Sequence, residues 1–131
     1  MGLTNWFRRK TAPLAGAPAI RRIKTYAAQT GYIYRYCYEG CRKCGPAGVE
    51  FVFRLFTGSK DGDILTVRVP WAALRAWEEA RARQLTSTQR YAVAKMALFQ
   101  AFDERPTPAH MLRDVAVRPA DLEAILDTLG V

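Results

Sequence analysis

The chain has 131 residues, half of them apolar and 24% charged, which points to one ordinary domain with a real core and excludes wholesale disorder. Its formal net charge is +8, and the excess is local: residues 1–44 hold nine Lys and Arg against one acid, Glu39, while residues 45–131 carry eleven of each sign. No apolar run reaches the roughly 18 residues a membrane span needs.

The charge asymmetry argues for a neutral folded body with a basic N-terminal third facing an anionic partner, nucleic acid above all. The alternative is a solvated charge excess that only aids solubility. Three cysteines do not make a closed disulfide framework, and the N-terminus lacks the apolar core of a secretory signal. A reducing compartment, the cytoplasm, is therefore expected.

Residues 1–24 read as a basic N-terminal arm and linker. Met1 to Lys10 suits a short amphipathic helix with Leu3, Trp6 and Phe7 on one side and Arg8, Arg9 and Lys10 behind them. So short a helix needs a surface to dock on, whether the domain, a partner subunit or a membrane interface. Met-Gly opens the chain as in a myristoylation signal, but Trp6 occupies the position that needs Ser or Thr. The segment is Arg-rich and acid-free like an organelle transit peptide, yet contains no serine. Thr11 to Ala19 is small and Pro-punctuated, an extended and flexible linker, and Arg21, Arg22 and Lys24 add a second basic cluster.

From residue 25 to 131 the pattern is that of a single α+β domain. Thr25–Ala28 and Tyr32–Tyr38 read as one strand broken near Gly31, or as two short ones. Glu50–Phe56 and Asp63–Val69 follow as strands around the turn GSKDG. The expectation is a three-stranded antiparallel meander with the Cys41–Gly48 loop at one end. Pro70 opens a helix reaching about Arg83, with Trp71, Leu74, Trp77 and Ala80 in a stripe. Thr86 with Gln89 makes a capping box for a second helix, about Ser87–Asp103, apolar almost all round and thus buried or covering a partner. These two helices are expected to pair antiparallel over the sheet. Val115–Val117 is an edge strand or simply extended. Pro119 starts a last helix with Leu122, Ile125, Leu126 and Leu129 on one face and Gly130 as its C-cap.

Three constellations bear on chemistry. Tyr32, Tyr34, Tyr36 and Tyr38 recur at every second residue, so their rings share one strand face, with Ile33, Arg35 and Cys37 on the other. Exposed, such a ladder interleaved with Arg35 would stack single-stranded bases while Arg35, Arg42 and Lys43 hold phosphates. Buried, it is a run of good strand formers, the more common use of alternating tyrosines.

The cysteines Cys37, Cys41 and Cys44 are spaced C-x3-C-x2-C, as in the cluster-binding loop of radical S-adenosylmethionine enzymes. The likeness is three residues, and this chain has no room for the large barrel of those enzymes. Zinc is the milder reading: three thiolates would need a fourth ligand, and the one histidine, His110, stands far along the chain. Otherwise Cys37 is a small buried residue and the other two are loop thiols.

Lys95, in an apolar helix, is either a nucleophile with a depressed pKa or a lysine snorkelling to solvent. The helix pair around Leu85-Thr86 is too apolar for helix-turn-helix DNA binding. There is no Gly-rich phosphate loop and no nucleophile motif, so an enzyme is the least supported class and no cofactor is expected.

The leading expectation is a small non-catalytic nucleic-acid-binding or nucleoprotein-associated module. Arg8, Arg9, Lys10, Arg21, Arg22 and Lys24 would engage phosphates, helped by Arg35, Arg42 and Lys43, with Tyr32, Tyr34 and Tyr36 available for stacking. The alternative is an accessory subunit of a protein assembly anchored by Leu3, Trp6 and Phe7. The third reading is a zinc module built on Cys37, Cys41 and Cys44.

Overall fold

The computed structural model describes residues 13–44, 47–58 and 60–131, and it is an α+β fold. The arm residues Leu3, Trp6, Phe7, Arg8, Arg9 and Lys10 lie outside the described residues.

Five strands form one mixed sheet in chain order: β1 (Lys24–Ala27), β2 (Ile33–Cys44), β3 (Gly48–Leu55), β4 (Asp63–Pro70) and β5 (Val115–Ala116). β1 to β4 run antiparallel in succession, and β5 pairs parallel to β4 through Val67 and Arg68. The expected three-stranded meander is thus only the centre of the sheet. β1 becomes a fourth strand because Ala28 and Gly31 close a tight turn, with Gly31 N–H donating to the Ala28 carbonyl at 2.9 Å. β2 is longer than its tyrosine run suggests: it carries all three cysteines into the ladder, where Cys44 pairs with Gly48.

Helix α1 (Trp71–Arg81) follows β4 directly, with Pro70 as its N-cap. Helix α2 (Ser87–Glu104) starts at the expected capping box: Thr86 Oγ1 accepts from Gln89 N–H at 3.1 Å, and Gln89 Oε1 accepts from Thr86 N–H at 2.9 Å. A 3-10 turn (Pro108–Leu112) leads to β5, and helix α3 (Pro119–Leu129) ends on Gly130 in the left-handed region. α1 and α2 touch through Arg90, which meets Glu78 and Trp71, but each packs more extensively on α3 than on the other. α3 packs against both of them with a stripe of Leu122, Ile125 and Leu126 that is at most 1% exposed. Among the described residues no helix is long and apolar enough to cross a membrane.

The core lies between the sheet and the helices. Tyr34, Tyr36, Phe51, Phe53, Leu65 and Val67 face Val93, Leu98 and Phe102 of α2 and the apolar sides of α1 and α3. Alternation sends the intervening residues to the outer face, and there several are buried too: Cys37, Glu39, Glu50, Val52 and Thr66. Two buried carboxylates need partners, and each has two. Glu39 sits between Arg21 at 3.1 Å and Arg54 at 3.1 Å, and Glu50 between Arg42 at 3.2 Å and Arg68 at 2.6 Å.

Candidate functional site

The described part of the arm does not hang free. Pro13 to Ile23 runs as an extended strap along the outer half of β2. Ala15 and Cys41 exchange two backbone hydrogen bonds, of 2.7 and 2.8 Å, and Arg21 reaches Glu39. The register of β2 against β3 shifts between Tyr38 and Gly40, a bulge that turns the strand toward the strap. Gly40 is required there. Its φ is +129°, and a Cβ on it would sit 2.9 Å from the Ala15 carbonyl oxygen and 3.1 Å from Leu14 Cβ.

Between strap, sheet and helix lies a cleft of about 530 Å³, well within the range of small-ligand sites. Gly16, Pro18, Ile20 and Arg22 of the strap and Lys24 at the start of β1 form one side, and Ser87, Thr88 and Tyr91 come from the first turns of α2. Tyr36, Cys37, Tyr38, Cys41 and Phe51 line the sheet side. Tyr38 and Tyr91 lie with ring centroids 4.6 Å apart. Burial, with the proximity of Tyr91, raises the pKa of the Tyr36 phenol, and burial likewise raises those of Tyr38 and Tyr91. All three phenols are therefore neutral donors and acceptors at neutral pH.

The charge on this side of the molecule is of one sign. Arg22 and Lys24 are exposed, and neither has an acidic partner among the described residues. Lys95, on α2 over the Phe99 ring, approaches Lys24 closely. Burial, reinforced by that neighbouring ammonium, lowers the Lys95 pKa. Two lysines held side by side repel one another, an arrangement that an anion between them would relieve.

The other sequence-predicted residues are dispersed. Arg35 is exposed on the outer face, its guanidinium over Phe56 at 5.8 Å, and Lys43 is exposed near the end of β2. Arg42 is engaged with Glu50 and Arg21 with Glu39, so both already serve a carboxylate. The tyrosine ladder faces inward. Tyr34 and Tyr36 are 2% and 3% exposed; Tyr34 stacks on Phe102 at 4.4 Å and is closed to a base, while Tyr36 meets only the floor of the cleft. Tyr32, 42% exposed, is the member at the surface.

The bulge also separates Cys37 from Cys41, and the Cys44 side chain lies outside the described residues. The Cys37 thiol points to the outer face and donates to Glu39 at 3.5 Å, with burial first and Glu39 second raising its pKa. Cys41 packs against the core by the cleft. His110 is in the 3-10 turn, its Nδ1 2.7 Å from the Thr107 hydroxyl. Among the described residues no three metal-ligating side chains converge.

Sequence reasoning missed Ser87, Thr88 and Tyr91 as cleft residues, and it singled out Lys95 only as a nucleophile or a snorkelling lysine. They belong to a helix whose pattern reads only as core, and their site exists only because the strap crosses in front of it. It missed Glu39 and Glu50 as well. The signal available for Glu39 was that it is the single acid among nine basic residues.

No known protein family, characterised protein or solved structure matches this chain.

Proposed function

We propose that the protein is a non-catalytic module that binds nucleic acid, single-stranded in preference, on the face where the strap meets α2. The observation that carries this reading is the grouping of Arg22, Lys24 and Lys95 beside an aromatic cleft, with no acid lining it among the described residues. Cations that hold a backbone next to rings that accept bases are the two components of single-strand recognition. Exposed Arg35 and Lys43 extend the positive field along β2. Arg42 and Arg21 contribute structure first, through their glutamates.

The test is a salt titration of binding to a single-stranded octanucleotide and to a duplex of the same length. The full chain is compared with R22E/K24E. The log of the affinity is expected to fall linearly with log salt, by about 0.7 per phosphate neutralised on a single strand. The double variant should lower both the affinity and that slope. Absence of binding, or a slope unchanged by the double variant, overturns the reading and turns attention to a protein partner.

A further inference from the structure

We infer that the cleft between the strap and α2 receives one nucleotide unit, its base inward among Tyr36, Tyr38 and Tyr91 and its phosphate outward at Arg22 and Lys24. This rests on the nucleic-acid reading for the source of the nucleotide, but not for the chemistry of the pocket. The inner end of the cleft is aromatic and polar together. Tyr36 is 3% exposed and borders the cleft. A phenol bordering a cleft can donate to a ligand's ring nitrogen or carbonyl oxygen and accept from its amino group. Tyr91 lines the same cleft, so two neutral phenols stand where the edge of a flat heterocycle would end.

The outer end is cationic. Arg22 and Lys24 stand on one side, and Ser87 and Thr88 offer hydroxyls on the opposite wall. The ligand's negative charge must therefore be at one end and its ring at the other, which is the layout of a nucleoside phosphate. A volume of about 530 Å³ admits one such unit with water and no more. A free nucleotide and a nucleotide within a strand share this chemistry.

The experiment measures displacement of a labelled single-stranded octanucleotide by each of the four nucleoside 5′-monophosphates, and direct calorimetric binding of the same monophosphates. The wild-type chain is compared with Thr88→Trp and Tyr91→Phe. Thr88 is exposed in the first turn of α2 and takes no part in the capping box, so an indole there fills the cleft while the helix start is kept. At least one monophosphate is expected to compete. Thr88→Trp should weaken both ligands by about tenfold or more, the scale of one lost base stack, and Tyr91→Phe should weaken them less. If the octanucleotide binds with a salt slope but no monophosphate competes and Thr88→Trp binds normally, the cleft is not a nucleotide site and the surface reading stands alone. If a monophosphate binds and the octanucleotide does not, the cleft inference holds with a free nucleotide as ligand, and the nucleic-acid reading fails. If neither binds, both are overturned.

Discussion

The Tyr26 hydroxyl donates to Asp103 Oδ2 across 2.7 Å, tying the edge strand β1 to the last turn of α2. The other carboxylate oxygen accepts from Gln29 N–H at 3.0 Å, so a single aspartate holds both the strand and the turn that follows it. The Tyr26 ring stacks on Phe99 at 4.4 Å. Replacing Tyr26 with Phe keeps that stack and removes one partly buried hydrogen bond, which should cost about 1 kcal/mol. Asp103→Ala removes both bonds and should cost more. Urea unfolding would show the order, and equal midpoints for the two variants would mean that the Gln29 bond contributes nothing.

The buried phenols make the fold sensitive to alkali. Burial raises the pKa of Tyr34, Tyr36, Tyr38 and Tyr91, and that of Tyr26 is raised first by its bond to Asp103 and then by burial. A group whose folded pKa lies above its unfolded value contributes stability below the unfolded value, here 10.0, and loses it as pH rises toward the folded one. Stability should thus decline above pH 10, and phenolate absorbance from these five rings should appear together with loss of far-ultraviolet circular dichroism. Ionisation of all five in a chain that stays folded would contradict this.

At the acid end the outer face decides. Burial alone would raise the Glu50 pKa, but the hydrogen bonds and charges of Arg68 and Arg42 outweigh it and hold the carboxyl below its ordinary 4.5. Glu50 therefore stabilises the fold fully above its unfolded pKa, and that contribution is lost as pH falls through the lower folded value. Glu50→Gln should cost about 2 kcal/mol at pH 7, the scale of charge-assisted hydrogen bonds lost from a mostly buried carboxylate. The variant should show a smaller loss of stability than wild type between neutral and pH 3, and parallel stability profiles for the two would show that Glu50 is not the sensor.

Much of this fold was legible from periodicity and punctuation. Pro70, the Thr86–Gln89 pair, Pro119 and Gly130 mark helix ends because each solves a local backbone problem, and local problems are written locally. Which helices pack together was not legible. Leu122, Ile125 and Leu126 form an ordinary amphipathic stripe, and nothing in it says that α3 packs against both α1 and α2. The tyrosine ladder shows the same limit. Alternation puts Tyr34 and Tyr36 on one face, but it does not say whether water or Phe102 covers it. The cleft was least legible, since its walls come from segments some 65 residues apart, Arg22 and Lys24 against Ser87 and Thr88.

Gly40 controls how the strap closes on that cleft. An alanine there must adopt a φ near +129° and place its Cβ 2.9 Å from the Ala15 carbonyl oxygen, backbone that cannot simply rotate away. Strain of this kind costs about 2 kcal/mol at a non-glycine residue. The least costly relief is to lift the strap, because among the described residues two backbone bonds and the Arg21–Glu39 pair are what hold it to β2. Gly40→Ala should therefore speed amide exchange at Ala15 and Cys41 while leaving the α2 core amides protected. If the cleft takes a nucleotide as proposed, the variant should also weaken that binding by moving Arg22 away from Tyr91. Gly58→Ala is the control: that glycine is exposed in the β3–β4 turn, and a methyl group added to it would meet nothing within 4 Å. Unchanged exchange at Ala15 in Gly40→Ala would mean that the strap tolerates the clash, and it would remove the bulge from any role in shaping the site.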